Sequence, residues 1–155
     1  MTTATVIEPI TKVLEVEATP ARAFEVFTQR IGSWWPLASH SISAEAEGAP
    51  ARSCVMEPWE GGRVFETSAS GQEADWGQVL AYLPGERVVF TWHLSRPPSA
   101  ATEVEVTFEA LDEGATRVTL VHRHWENFGE TGAETREGYN EGWDHVFGER
   151  YLAAL

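Results

Sequence analysis

Apolar and polar positions alternate with a period of two through most of this chain and change to helical spacing near each end. Ile10, Lys12, Leu14 and Val16 share one side of a segment whose other side carries Thr11, Val13, Glu15 and Glu17. That pattern predicts a half-buried strand. Thr19-Pro20 reads as a helix N-cap followed by proline at the first helical position. Ala23, Phe24, Phe27 and Ile31 follow at helical spacing, with a stop near Gly32. Pro36 blocks a regular continuation past Trp34-Trp35. Residues 37–51 are small and polar and predict a surface loop. Residues 52–58 and 62–68 read as strands joined by a tight Gly61-Gly62 turn, with positive φ at both glycines. Further strands are predicted over 74–83, 86–94, 102–110 and 115–125, with turns at Pro84-Gly85 and Glu113-Gly114 and loops at 95–99 and 126–132. From Ala133 the period changes again. Tyr139, Trp143, Val146, Phe147 and Tyr151 recur every three or four residues and predict an amphipathic helix of about five turns.

Strands linked by short turns make a mostly antiparallel sheet, and helices gathered on one face of such a sheet make an α+β domain. Residues 1–9 read as a flexible tail and 10–155 as one domain. One helix cannot cover the whole face of about seven curved strands, so side chains, ligand or water must fill the remainder. Strand parity names the inward set. Val88, Phe90, Trp92 and Leu94 share a face, as do Val104, Val106 and Phe108, and Val118, Leu120, His122 and His124. Arg117, Thr119, Val121, Arg123 and Trp125 should point the other way. Residues 74–83 carry apolar groups on both faces and leave their parity open.

The 155 residues suit one domain with a substantial core. Seven tryptophans are many for this length, and each brings a large apolar area and one N–H that needs a partner. The net charge of −13 disfavours nucleic acid and anionic membrane surfaces, where binding requires neutralising phosphates. Cys54 is the single cysteine, so no internal disulfide forms and a reducing cytoplasm is the expected compartment. Residues 1–8 lack the basic start and apolar run of a signal peptide, and no apolar run approaches a membrane span.

A set of short motifs resembles the helix-grip superfamily (START-like, or SRPBCC), in the branch named after the activator of the heat-shock protein 90 ATPase. In order these are Trp34-Trp35-Pro36-Leu37 with Ser41; Glu57-Pro58 and Gly61-Gly62-Arg63 with Glu66; Trp76-Gly77-Gln78-Val79; Pro84 and Arg87 with Phe90-Thr91-Trp92; Thr116-Arg117-Val118-Thr119-Leu120 with His122; and Gly142-Trp143. They span about residues 10–153. The resemblance implies a helix-grip fold, in which a curved antiparallel sheet wraps a long C-terminal helix with a cavity between them. It also implies apolar ligands such as lipids or polyketides, with cyclisation or hydrolysis in some members. The eukaryotic co-chaperone carries its related domain behind a second, N-terminal domain that this sequence does not include.

The expected cavity lining is Trp34, Trp35, Phe90, Trp92, Val104, Val106, Phe108, Leu120, His122, His124, Tyr139, Trp143 and Phe147. An empty apolar void of ~300 Å³ would cost ~7 kcal/mol at ~24 cal/mol per Å³, so the cavity is expected to be wet, collapsed or occupied. His122 and His124, two apart on one strand, should project to one side. With Glu126 or Asp144 they would make too few fixed ligands for a metal, so no metal and no cofactor are expected. As a single polar anchor, or as an acid–base group, either histidine fits an apolar pocket. His145 is expected at the surface, Cys54 as a buried thiol, and Glu57, Arg63 and Glu66 as an exposed charge cluster. No G-x-S-x-G, Walker loop or dinucleotide fingerprint is present. The first reading is therefore binding of a small apolar molecule. A cyclase or hydrolase of polyketide-like substrates comes second and a co-chaperone-like ATPase activator third, with a protein partner or homodimer left open.

Overall fold

The structure is a computed structural model and describes residues 7–93 and 97–155. Residues 1–6 of the tail, Leu94 and the Ser95–Arg96 part of the expected loop lie outside the described residues. Among those described, seven strands form one sheet: β1 (Ile10–Val16), β2 (Ser53–Met56), β3 (Arg63–Thr67), β4 (Glu73–Leu83), β5 (Arg87–Trp92), β6 (Thr102–Asp112) and β7 (Ala115–Arg123). Their order is β1-β7-β6-β5-β4-β3-β2, antiparallel throughout. Between β1 and β2 lie α1 (Pro20–Thr28), α2 (Ile31–Trp34) and α3 (Ile42–Ala46). After β7, a 3-10 stretch over Trp125–Thr131 leads into α4 (Gly132–His145), which continues as a π-helical segment over Val146–Tyr151. This is the α+β helix-grip arrangement of a curled sheet and a long C-terminal helix.

The N-cap signal is realised directly: the Thr19 hydroxyl accepts the Arg22 N–H at 3.2 Å. Parity also holds along β1, along β6 from Thr102 to Phe108 and along β7, where inward positions are more buried than their outward neighbours. Lys12, on the inward side of the edge strand β1, extends its stem along the core and pairs with Asp144 of α4 at 2.8 Å. Arg136 donates to the Glu8 carbonyl at 2.6 Å and the Pro9 carbonyl at 3.1 Å, binding α4 to the same edge.

Two local expectations from the sequence need correction. The 37–51 stretch is not all loop: Ser41 accepts the Ala44 N–H at 3.0 Å and caps α3. The Gly-Gly turn is not a two-residue hairpin. Residues 57–62 form a longer loop closed by Glu57 N–H to the Arg63 carbonyl at 2.9 Å, and positive φ falls on Gly61 and not Gly62. Gly62 is constrained by space instead, since a Cβ there would lie 2.8 Å from the Glu57 Cβ.

The open parity of β4 has a physical cause. Val64 pairs with Gly77 while Phe65 pairs with Asp75, so Trp76 is an extra residue in a β-bulge. Another register shift falls between Val79 and Ala81. The first bulge turns Trp76 inward and brings Gly77 against β5, where a Cβ would lie 1.7 Å from the Thr91 carbonyl oxygen. Gly77→Ala should therefore destabilise the protein by at least about 3 kcal/mol, the upper part of the overpacking range. Gly114→Ala, with nothing within 4 Å of the new methyl, should stay within about 0.5 kcal/mol of wild type. Urea denaturation of the two variants measures the contrast.

Candidate functional site

Six of the seven tryptophans, all among the described residues, are buried, and the exception is Trp59 at 54 % exposure on the 57–62 loop. Trp35 is central. Its ring centroid lies 5.1 Å from Trp76, 5.5 Å from Trp92, 5.9 Å from Trp34 and 5.9 Å from Trp143. Each buried indole N–H has an acceptor: Trp34 the Val26 carbonyl, Trp35 the His40 carbonyl, Trp76 Glu66, Trp92 the Tyr139 hydroxyl, Trp125 the His122 carbonyl and Trp143 His122. This aromatic block fills most of the space under α4.

At one end the block stops short and leaves a cavity of about 410 Å³. Trp35, Trp92, Tyr139, Trp143, Ile42 and Val146 form its apolar wall, and Ser39, His40, Ser41, Glu45 and Thr135 its polar part. Ser39, His40 and Glu45 are exposed, so the cavity opens to water. Gly138 and Gly142 complete the α4 side, where a Cβ on either would meet nothing within 4 Å. The cavity thus exists where the helix presents bare backbone one turn apart.

Of the expected lining, Trp35, Trp92, Tyr139 and Trp143 stand on this wall. Trp34, Phe90, Val104, Val106, Phe108, Leu120, His122 and Phe147 are buried in the core instead. Trp34 packs on Phe27 and Tyr151, and Phe147 stacks on Tyr151 at 5.4 Å. His124 is elsewhere. It has φ 74° and ψ 34°, a left-handed conformation in which histidine is enriched among non-glycine residues. That one residue ends the alternation of β7. His124 turns outward beside Glu103 and Glu126, while Trp125, expected outside, swings into the core. His122 and His124 therefore do not face one ion or one ligand.

His122 is fully buried and both its nitrogens are occupied. An indole N–H can only donate, so Trp143 Nε1, at 3.0 Å, makes Nδ1 an acceptor. Nε2 then carries the proton and donates to Thr102 Oγ1 at 2.7 Å, and Thr102 donates to the Trp92 carbonyl at 3.0 Å. Burial pushes the His122 pKa down to about 3, so the ring is neutral and structural at pH 7. The imidazole on the cavity wall is that of His40. It contacts Ser39 Oγ through Nδ1 at 2.7 Å and lies 5.8 Å, ring to ring, from His145. Partial burial first, and His145 second, lower its pKa below the usual histidine value. His145 is exposed and contacts Glu149 at 2.7 Å.

Sequence reasoning missed Ser39, His40, Ile42, Glu45 and the two glycines. Ser41 as an N-cap ahead of Glu45 was a readable helix signal, and Thr135, Gly138, Tyr139, Gly142 and Val146 share one helix face by spacing. It also misplaced Glu66, which is fully buried and forms no exposed cluster with Glu57 and Arg63. Oε1 accepts from the Ile42 backbone N–H at 2.6 Å and Trp76 Nε1 at 2.7 Å, and Oε2 accepts from the Ser43 N–H at 2.9 Å. Arg63 pairs instead with Glu73 and Asp75. Cys54, opposite Glu66 in the β2–β3 ladder, is buried. Burial first and the Glu66 charge second push its thiol up to about 12, which removes it as a nucleophile.

The sequence model of the family described as activator of Hsp90 ATPase homolog 1-like protein matches residues 17–155. No curated protein matches the chain by sequence. Among solved structures, an anthrahydroquino-gamma-pyrone synthase, Txn09, is 28% identical over 97% of this chain and 98% of its own, with a TM-score of 0.65. The self-sacrificing resistance protein CalC from Micromonospora echinospora is 22% identical over 95% and 93%, with a TM-score of 0.69. A protein from Arthrobacter aurescens is 19% identical over 99% and 94%, with a TM-score of 0.66. The last two show the shared fold. Among the described residues no helix is long and apolar enough to cross a membrane.

The buried His122 ring has a measurable signature. Its folded pKa lies below its unfolded value of about 6.5, so its contribution is complete above pH 6.5 and is lost as pH falls toward 3, where the unfolded chain takes the proton first. From this residue the loss should be about 1.4 kcal/mol per pH unit, or about 2 kcal/mol between pH 6.5 and 5. Urea titrations of wild type and His122→Gln at the two pH values give the difference. Equal pH dependence of the two proteins would contradict the assignment.

Proposed function

The chain belongs to the activator of Hsp90 ATPase homolog 1-like family, and from that premise we propose that it binds one small, mostly apolar molecule between α4 and the α3 segment. The observation that carries this reading is the cavity of about 410 Å³, with Trp35, Trp92, Tyr139 and Trp143 on its wall and a polar opening at His40 and Glu45. The volume falls within the range of small-molecule sites, and an apolar wall with a few polar groups is their usual chemistry. The net charge of −13 and Glu45 at the opening favour a neutral ligand over an anion. Rigid aromatic walls favour a flat, ring-containing body, and His40 can hydrogen-bond whatever polar group the ligand leaves at the mouth.

Gly142 gives the cleanest test, because a side chain there enters the cavity without removing any core contact. Gly142→Leu should stabilise the unliganded protein by about 0.5–1 kcal/mol through helix propensity. A neutral aromatic probe such as N-phenyl-1-naphthylamine, at 100 times its Kd, should raise the wild-type Tm by roughly 5–10 °C and leave Gly142→Leu unmoved. An equal shift in both proteins would remove the cavity as the binding site.

A second reading, a cyclase-type enzyme on polyketide-like substrates, is favoured by the 28% identity to a pyrone synthase over nearly the whole of both chains. In that case His40, largely neutral at pH 7, is the acid–base candidate, and not His122 or His124. His40→Gln should then abolish turnover of a polyketide-like substrate while the affinity for N-phenyl-1-naphthylamine stays within about twofold. Turnover unaffected by the substitution would exclude His40 from the chemistry.

A further inference from the structure

Glu66 is a carboxylate with 0 % exposure that the binding reading does not use. Burying a charge is costly unless it is hydrogen-bonded. Here three N–H donors meet two oxygens, and they come from two places that bound the cavity. Ile42 and Ser43 open α3, whose Ile42 and Glu45 form one side of the cavity. Trp76 lies behind Trp35 and Trp92 at 5.1 and 5.4 Å and supports the opposite side.

Other hydrogen bonds also tie the α3 region to the body. The Ser43 hydroxyl donates to the Ala49 carbonyl at 2.8 Å and accepts the Ala69 N–H at 3.0 Å. Glu47 accepts from Ser70 N–H and Oγ, both at 3.0 Å, in an exposed setting. A helix of five residues is too short to hold itself together in water, so its place depends on these anchors. The Glu66 bonds are the buried, charge-assisted ones among them, the kind roughly twice as strong as neutral hydrogen bonds.

We propose that Glu66 is a positioning residue for the cavity: its buried carboxylate fixes the α3 wall and the Trp76 support in the arrangement that retains an apolar ligand. The role rests on the binding reading above and acts through α3 and Trp76, without touching the ligand. A glutamine cannot replace the carboxylate, because its NH₂ would face a donor where an oxygen now accepts.

Two measurements at pH 7 test this. In Glu66→Gln, hydrogen exchange at the amides of residues 42–46 should accelerate at least tenfold while β6 and β7 amides keep wild-type rates. The affinity for N-phenyl-1-naphthylamine should fall at least tenfold. Faster α3 exchange with unchanged dye affinity would overturn the proposal, and so would unchanged α3 exchange. Ile42→Pro serves if Glu66→Gln does not fold. Ser41 already has the extended conformation that precedes proline (φ −141°, ψ 158°), and proline is tolerated at the first helical position. Ile42→Pro thus deletes one N–H donor, and Ile42→Ala controls for the lost side chain. Dye affinity should be at least fivefold weaker in Ile42→Pro than in Ile42→Ala, and equal affinities would refute the role. A wild-type protein that takes up no dye would be a separate result: it would remove the binding reading itself, and this role with it, before any substitution is compared.

Discussion

One neutral imidazole links the long helix to three strands of the sheet. Through His122 a continuous line of hydrogen bonds runs from Trp143 on the helix to β7, then to Thr102 on β6 and the Trp92 carbonyl on β5. Every polar atom along it is buried and every one is satisfied, the condition under which a buried polar network rigidifies a core. The long helix therefore has a fixed rotation and height above the sheet. With Trp143 and Trp92 fixed in this way, the aromatic wall of the cavity is fixed as well.

The cavity lies beyond this filled centre. A fully hollow interior is not what the chain builds: large side chains pack the space beneath α4, and the cleft appears only where Gly138 and Gly142 face α3. Its opening to solvent admits water, so the protein does not bear the cost of a dry void. Glu66 and His122 are complementary anchors. One places the short helix at the mouth, the other the long helix behind it, and both act through groups that never reach a ligand.

Much of this was legible in the residue pattern. Alternation together with the turn signals at Gly61-Gly62, Pro84-Gly85 and Glu113-Gly114 located all seven strands, and the three- and four-residue spacing located the last helix and its inward face. What stayed hidden depends on contacts distant in sequence or on single backbone angles. α3 is anchored by a carboxylate 24 residues from Ile42, and nearness in sequence to Glu57 and Arg63 placed that carboxylate in an exposed cluster. His124 reverses parity through one positive φ, so the pattern put His124 inside and Trp125 outside. The cavity was misjudged for a related reason. Large apolar residues were all taken as lining; Trp35, Trp92, Tyr139 and Trp143 do stand on the wall, but Trp34, Phe90 and Phe147 pack in the core, and the space opens where Gly138 and Gly142 lack side chains.

The extra residue at Trp76 also makes the length of β4 a constraint on the core. Because β4 faces are assigned by a two-residue repeat on each side of the bulge, removing one residue there would reverse the inside and outside of whichever flank had to shift. Val79 and exposed Leu80 would exchange places, with Gln78 brought toward the core. A one-residue insertion or deletion in this strand therefore costs core burial as well as register.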